Sequence, residues 1–125
     1  MNWIAVIICV VLVFVIGGPW YGPLFGKAWK NAAGGGAAHG HPVKVFGGAA
    51  VCGAVAALTL DFILGPAPAL VPAVVGGLAA GLGISATTFG INYLFANRPL
   101  VMLAIDAAYN IVLLTAMGAV FGLLG

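Results

Sequence analysis

The residue best placed to do chemistry in this sequence is Asp106, a carboxylate in an otherwise apolar run from Leu100 to Leu124. Tyr109 and Asn110 share its face at helical spacing. In the preceding apolar run, Ser85, Thr88 and Asn92 recur at i, i+3 and i+7, which lines them up on one face. The Asn97-Arg98-Pro99 turn would fold the two helices side by side. At 1.5 Å per residue, Asn92 then lies roughly 8 Å and Asp106 roughly 10 Å from that turn. Acid and amide are therefore expected to face each other inside the bilayer. A carboxylate two turns into a membrane helix costs a few kcal/mol, so something must compensate it. Two readings stand open. Asp106 either locks helices together by hydrogen-bonding Asn92 or Tyr21, or it belongs to a ligand or ion site.

The elements that would position these residues follow from composition. The chain has 125 residues, 64% hydrophobic and 5% charged, with four Lys+Arg, two Asp+Glu and a net charge of +2. A soluble domain carries about a quarter charged residues, so composition argues strongly against a soluble fold. The positive balance is too small and too localised to suggest nucleic-acid binding. Apolar runs at about 2–25, 43–64, 71–95 and 100–124 predict an all-α polytopic membrane protein: four transmembrane helices in two antiparallel hairpins, one domain. The first run lacks a preceding basic segment and a small-residue cleavage site, and reads as a retained helix. Pro19 and Pro23 are expected to loosen its last turns. Trp20, Tyr21, Phe25 and Trp29 are expected to form an aromatic girdle at that end.

Other candidate groups are weaker. His39 and His41 sit in a Gly/Ala-rich stretch, 31–42, expected to be a flexible loop; without a third ligand they predict no metal site. Cys9 and Cys52 fall in apolar runs and read as packing residues. Ser85 is the sole serine, both histidines fall in a loop, and Asp61 and Asp106 are expected near opposite membrane faces. No hydrolytic constellation assembles from these, and the chain is expected not to be an enzyme and to need no cofactor. Ala49/Gly53/Ala57, Gly77/Gly81/Ser85 and Gly118/Gly122 repeat every fourth residue, stripes against which another helix can approach closely.

Lys27, Lys30 and Lys44 border the first connection and Arg98 the third. The positive-inside bias puts those connections in the cytoplasm and both termini on the other side, in a cytoplasmic (inner) membrane. Tyr21-Gly22-Pro23-Leu24-Phe25-Gly26-Lys27 and Tyr93-Leu94-Phe95-Ala96-Asn97-Arg98 form a faint repeat, each with Tyr, Leu-Phe and a cation at the cytoplasmic end of a helix. A parallel duplication or a shared need for interfacial anchors explains it equally well.

The segment Trp20-Tyr21-Gly22-Pro23-Leu24-Phe25-Gly26-Lys27-Ala28-Trp29 resembles the signature of a family of small bacterial four-helix membrane proteins carrying a domain-of-unknown-function label. Asn92-Tyr93-Leu94-Phe95 with Arg98-Pro99, and Asp106-Ala107-Ala108-Tyr109-Asn110, resemble its second and third patches; the likeness extends to Met1-Asn2-Trp3. The resemblance implies the four-helix layout and the grouping of the three patches, and no reaction.

All three patches fall at the cytoplasmic ends of helices one, three and four. They predict a polar and aromatic pocket there, made by Trp20, Tyr21, Thr88, Asn92, Asp106, Tyr109 and Asn110. Two functions fit. One is a carrier or channel for a small solute or ion, which four helices can form only as a homo-oligomer. The other is a non-catalytic accessory subunit on a larger membrane complex, holding a lipid or a lipophilic cofactor such as a pigment or quinone-like molecule. Either way, the expected partners are membrane lipid and other membrane chains.

Overall fold

The computed structural model describes residues 3–32 and 42–124, with the backbone alone at 42 and 43. His39, His41 and most of the expected loop lie outside the described residues, as do Met1 and Asn2. Among the described residues every regular element is a helix: α1 (Trp3–Pro19), a π-helical turn (Trp20–Leu24), α2 (Gly26–Ala32), α3 (Pro42–Leu64), α4 (Leu70–Ala79), a second π-helical stretch (Ala80–Ala86), α5 (Thr87–Phe95) and α6 (Leu100–Leu124). Asn31 and Ala32, expected to open the loop, instead close α2.

Four segments are long and apolar enough to cross a membrane: Trp3–Leu24, Lys44–Leu64, Leu70–Phe95 and Leu100–Leu124. Large apolar side chains such as Ile4, Val15, Val51, Phe62 and Leu94 stand exposed along them. In water such a surface would aggregate; against lipid tails it is the expected exterior.

The core is small and sits around α6, which touches every other helix. Leu113, Met117 and Phe121 of α6 pack with Ala5, Val6 and Cys9 of α1 and with Ala57 and Leu60 of α3. On the other side, α6 meets the third span through backbone rather than side chains. A Cβ on Gly77 would stand 2.2 Å from the Leu114 carbonyl oxygen, and one on Gly118 2.3 Å from that of Ala73. A Cβ on Gly81 would stand 2.8 Å from the Ile111 Cα, and one on Gly122 2.7 Å from the Leu70 Cα. Gly53 of α3 receives the Val13 side chain of α1. The glycines of the small-residue stripes are thus met by other helices of this same chain. Shape fit of this kind holds membrane helices together where the hydrophobic effect cannot.

The turn between α5 and α6 is a Schellman cap. Asn97, at φ 53°, takes the left-handed conformation that asparagine tolerates. The Arg98 N–H reaches the Tyr93 carbonyl at 2.9 Å and the Asn97 N–H that of Leu94 at 3.2 Å. Pro99 then prevents the helix from continuing.

Candidate functional site

Asp106 lies in the second turn of α6 and is only 6% exposed. Three uncharged donors meet its carboxylate: the Tyr21 hydroxyl at Oδ1, and the Tyr93 hydroxyl and the Trp29 indole N–H at Oδ2, the last at 3.2 Å. Every donor comes from a different element: the π-helical turn, α5 and α2. All three hydrogens point toward oxygens that can accept them, which is how a carboxylate is held in a bilayer without a counter-ion.

The neighbouring backbone is gripped as well. The Trp20 indole donates to the Ile105 carbonyl at 3.0 Å, and the Asn110 amide to that of Asp106 at 2.8 Å. The Tyr109 hydroxyl donates to the Val13 carbonyl of α1 at 2.7 Å. Tyr21 packs edge-on against both Tyr109 and Trp29, with centroids 5.3 and 6.3 Å apart. Such pairs add about 0.5–1.5 kcal/mol each beyond their burial.

The Trp20–Trp29 segment is what makes this cage possible. A continuous helix would send Trp20 and Tyr21 in directions about 100° apart and carry Trp29 away from Asp106. Instead the chain widens, with the Phe25 N–H bonding to the Trp20 carbonyl at 2.9 Å, and breaks at Gly22 (φ −96°, ψ −105°). Pro23 follows, a residue that cannot donate to a helix ladder. At Gly26 a Cβ would lie 2.2 Å from the Tyr21 carbonyl oxygen, so only glycine lets α2 fold back this tightly. Trp29 thereby returns to Asp106. The last turns of the first span are loosened, as Pro19 and Pro23 suggested, and the helix breaks outright at Gly22.

Of the residues expected in one pocket, Trp20, Tyr21, Asp106, Tyr109 and Asn110 come together. Thr88 and Asn92 do not: both are exposed, and the Thr88 hydroxyl bonds the Ile84 carbonyl of its own helix. The expected Asp106–Asn92 pair is replaced by Asp106–Tyr93. The cause is the π-helical stretch Ala80–Ala86. One extra residue in a turn advances the inward face by one position. The face that carries Gly77 and Gly81 therefore continues through Phe89 and Tyr93 rather than Thr88 and Asn92. Wide turns leave carbonyls under-satisfied, and the threonines that follow supply hydrogens: Thr87 donates to Gly83 at 2.8 Å and to Ile84 at 2.9 Å. In lipid, where no water can do so, that is the service Thr88 also performs.

Trp29 and Tyr93 are the site residues that sequence reasoning missed. The faint repeat held the signal for one of them, since its two tyrosines, Tyr21 and Tyr93, both donate to Asp106.

Beside the cage lies a cavity of about 800 Å³ between α1, α3 and α6. Val13, Phe14, Phe46, Cys52, Gly53 and Leu113 give it apolar walls, while Tyr21, Tyr109 and Asn110 supply its polar groups. Asp106 does not line it; Tyr21 stands between the two. A second cavity, of about 880 Å³, lies at the far end of α6 and takes in Asp61, Trp3, Phe121 and Leu124. Asp106 and Leu124 are roughly 27 Å apart along that helix, so the two aspartates serve separate places. Cys9 is buried in the core and Cys52 is exposed toward the first cavity, both as free thiols.

Four membrane-length helices around one caged carboxylate define a small polytopic membrane protein. The chain belongs to the DUF1761 family, described as a protein of unknown function, whose model matches residues 4–122. No curated protein and no solved structure matches it.

Proposed function

We propose that this protein is a non-catalytic membrane protein that takes one lipophilic molecule from the bilayer into the cavity between α1, α3 and α6. The observation that carries this reading is the cavity itself. Its volume of about 800 Å³ falls within the roughly 300–1,000 Å³ of small-molecule sites. Its walls are apolar with a few polar side chains, the composition that binds and orients an amphiphile. The positions of Lys27, Lys30, Lys44 and Arg98 support a topology of two antiparallel hairpins in which the polar groups and the Asp106 cage belong to the inner half of the membrane. In this role the chain works either alone or as a subunit of a larger membrane complex, with its lipid-facing surfaces available to partners.

A carrier coupled to protons or cations is the second reading, favoured by one observation. Tyr21 holds Asp106 through its hydroxyl and is also a lining residue of the cavity, so a single side chain separates the buried carboxylate from that space. Proteoliposome flux abolished by Asp106→Asn in a folded protein would support it, and unchanged flux would remove Asp106 from any mechanism.

The binding reading is tested by native mass spectrometry of protein extracted gently from its own membrane. One lipophilic adduct per chain is expected, and its loss in Gly18→Leu. Gly18 lines the cavity, and a Cβ there meets nothing within 4 Å, so this substitution fills space without a backbone clash. An adduct that survives Gly18→Leu, or a chain that carries none, contradicts the proposal.

A further inference from the structure

Resting on that cavity reading, we infer that the ligand is headed by a hydroxyl group, which gives its hydrogen to a tyrosine oxygen and accepts one from Asn110. The inference comes from an inventory of hydrogens. Tyr109 is bonded to the Val13 carbonyl at 2.7 Å, and because a carbonyl can only accept, the one hydroxyl hydrogen of Tyr109 is engaged there. The Tyr21 hydrogen is engaged by the Asp106 carboxylate. Both phenol oxygens keep lone pairs and have no hydrogen left to offer.

Asn110 is oriented by the same logic. Its amide nitrogen lies 2.8 Å from the Asp106 backbone carbonyl, which fixes which end of the amide is which. One N–H and the amide oxygen remain. The polar side chains of the cavity thus hold three acceptor oxygens against one strong donor, with the Cys52 thiol adding only a weak one.

Each class of head group meets that inventory differently. An ether, ester or ketone only accepts, and finds a single strong donor among three competing acceptors. A carboxylate or phosphate adds negative charge next to a carboxylate already present behind Tyr21. An ammonium offers no acceptor to Asn110, and the nearest carboxylate already takes three hydrogen bonds. A hydroxyl both accepts from Asn110 and gives its one hydrogen to one of the acceptors. Leaving a buried polar group unpaired is what makes such a site selective.

The test uses the wild-type protein in lipid nanodiscs and reads alkylation of Cys52 by a maleimide. Cys52 is exposed and lines the cavity, whereas Cys9 is fully buried. Dodecanol, its methyl ether and dodecanoate are compared at equal mole fraction in the membrane. Dodecanol is expected to halve the alkylation rate at a concentration about tenfold lower than either of the others, the factor of one hydrogen bond. A control variant, Cys52→Ala with Val55→Cys, reports from an exposed position outside the cavity lining and is expected not to respond. Equal protection by the methyl ether or by dodecanoate overturns the hydroxyl assignment and leaves the cavity reading standing. No protection by any of the three, or equal slowing at the control cysteine, overturns both.

Discussion

At the scale of single residues, Asp106 is held by neutral donors, so its energetics should be those of hydrogen bonds rather than of an ion pair. Tyr21→Phe and Tyr93→Phe each remove one hydrogen from the carboxylate. Each is expected to lower stability by about 1.5–3 kcal/mol, measured by thermal unfolding in detergent. In a double-mutant cycle with Asp106→Asn the tyrosine effects should shrink to well under half, because the shared partner has changed. Additive losses would mean that the tyrosines stabilise the fold by packing alone. Asn92→Leu and Thr88→Val make a useful contrast. Asn92 is exposed and should tolerate apolar replacement without cost, whereas Thr88→Val should cost a little, since it strips a hydrogen from the Ile84 carbonyl.

At the scale of elements, glycine positions decide which helices can approach. Gly26→Ala, with its Cβ 2.2 Å from a backbone oxygen, should push α2 away from Tyr21 and release Trp29 from Asp106. A red-shifted tryptophan emission and a loss of several kcal/mol would report that. Gly47→Ala or Gly48→Ala in α3, where a Cβ meets nothing, should be neutral or stabilise by up to about 1 kcal/mol through helix propensity. Gly77→Ala and Gly118→Ala should unfold the chain rather than dissociate it from other chains, because both glycines abut backbone of a neighbouring helix in the same molecule. A folded monomer that merely loses its partners would contradict that expectation.

These elements also mark where sequence reasoning succeeded and where it ran out. Membrane-length helices were legible because hydropathy integrates over some twenty residues, and local irregularities average away. Tyr21 and Asp106 were legible as partners because a buried acid needs donors and an adjacent patch supplied one. Asn92 was misplaced because facing was counted with a uniform α-helical period across Ala80–Ala86, where the turn is wider. The contact of Trp29 with Asp106 was not legible because the fold-back depends on a close approach at Gly26, which no periodicity encodes. Gly/Ala stripes said that close packing occurs without saying against what.

At the scale of the whole molecule, α6 is the axis: it carries the caged carboxylate, the glycine contacts to the third span and one wall of the cavity. Exposed apolar side chains surround it on every span. Topology can be read with single cysteines in a Cys9→Ala, Cys52→Ala background. Asn97→Cys should react with a membrane-impermeant maleimide only from the cytoplasmic side, and Ala67→Cys only from the opposite side. Reversed labelling would invert the orientation and place the cage in the outer half of the membrane.

The central claim is that the space between α1, α3 and α6 holds one lipophilic molecule. An experimental structure of the protein in nanodiscs of its native lipid tests it most directly. Elongated density is expected to fill the cavity along Phe14, Phe46 and Leu113, with its polar end at Tyr109 and Asn110. A cavity closed by those same side chains, with no density between them, would contradict it.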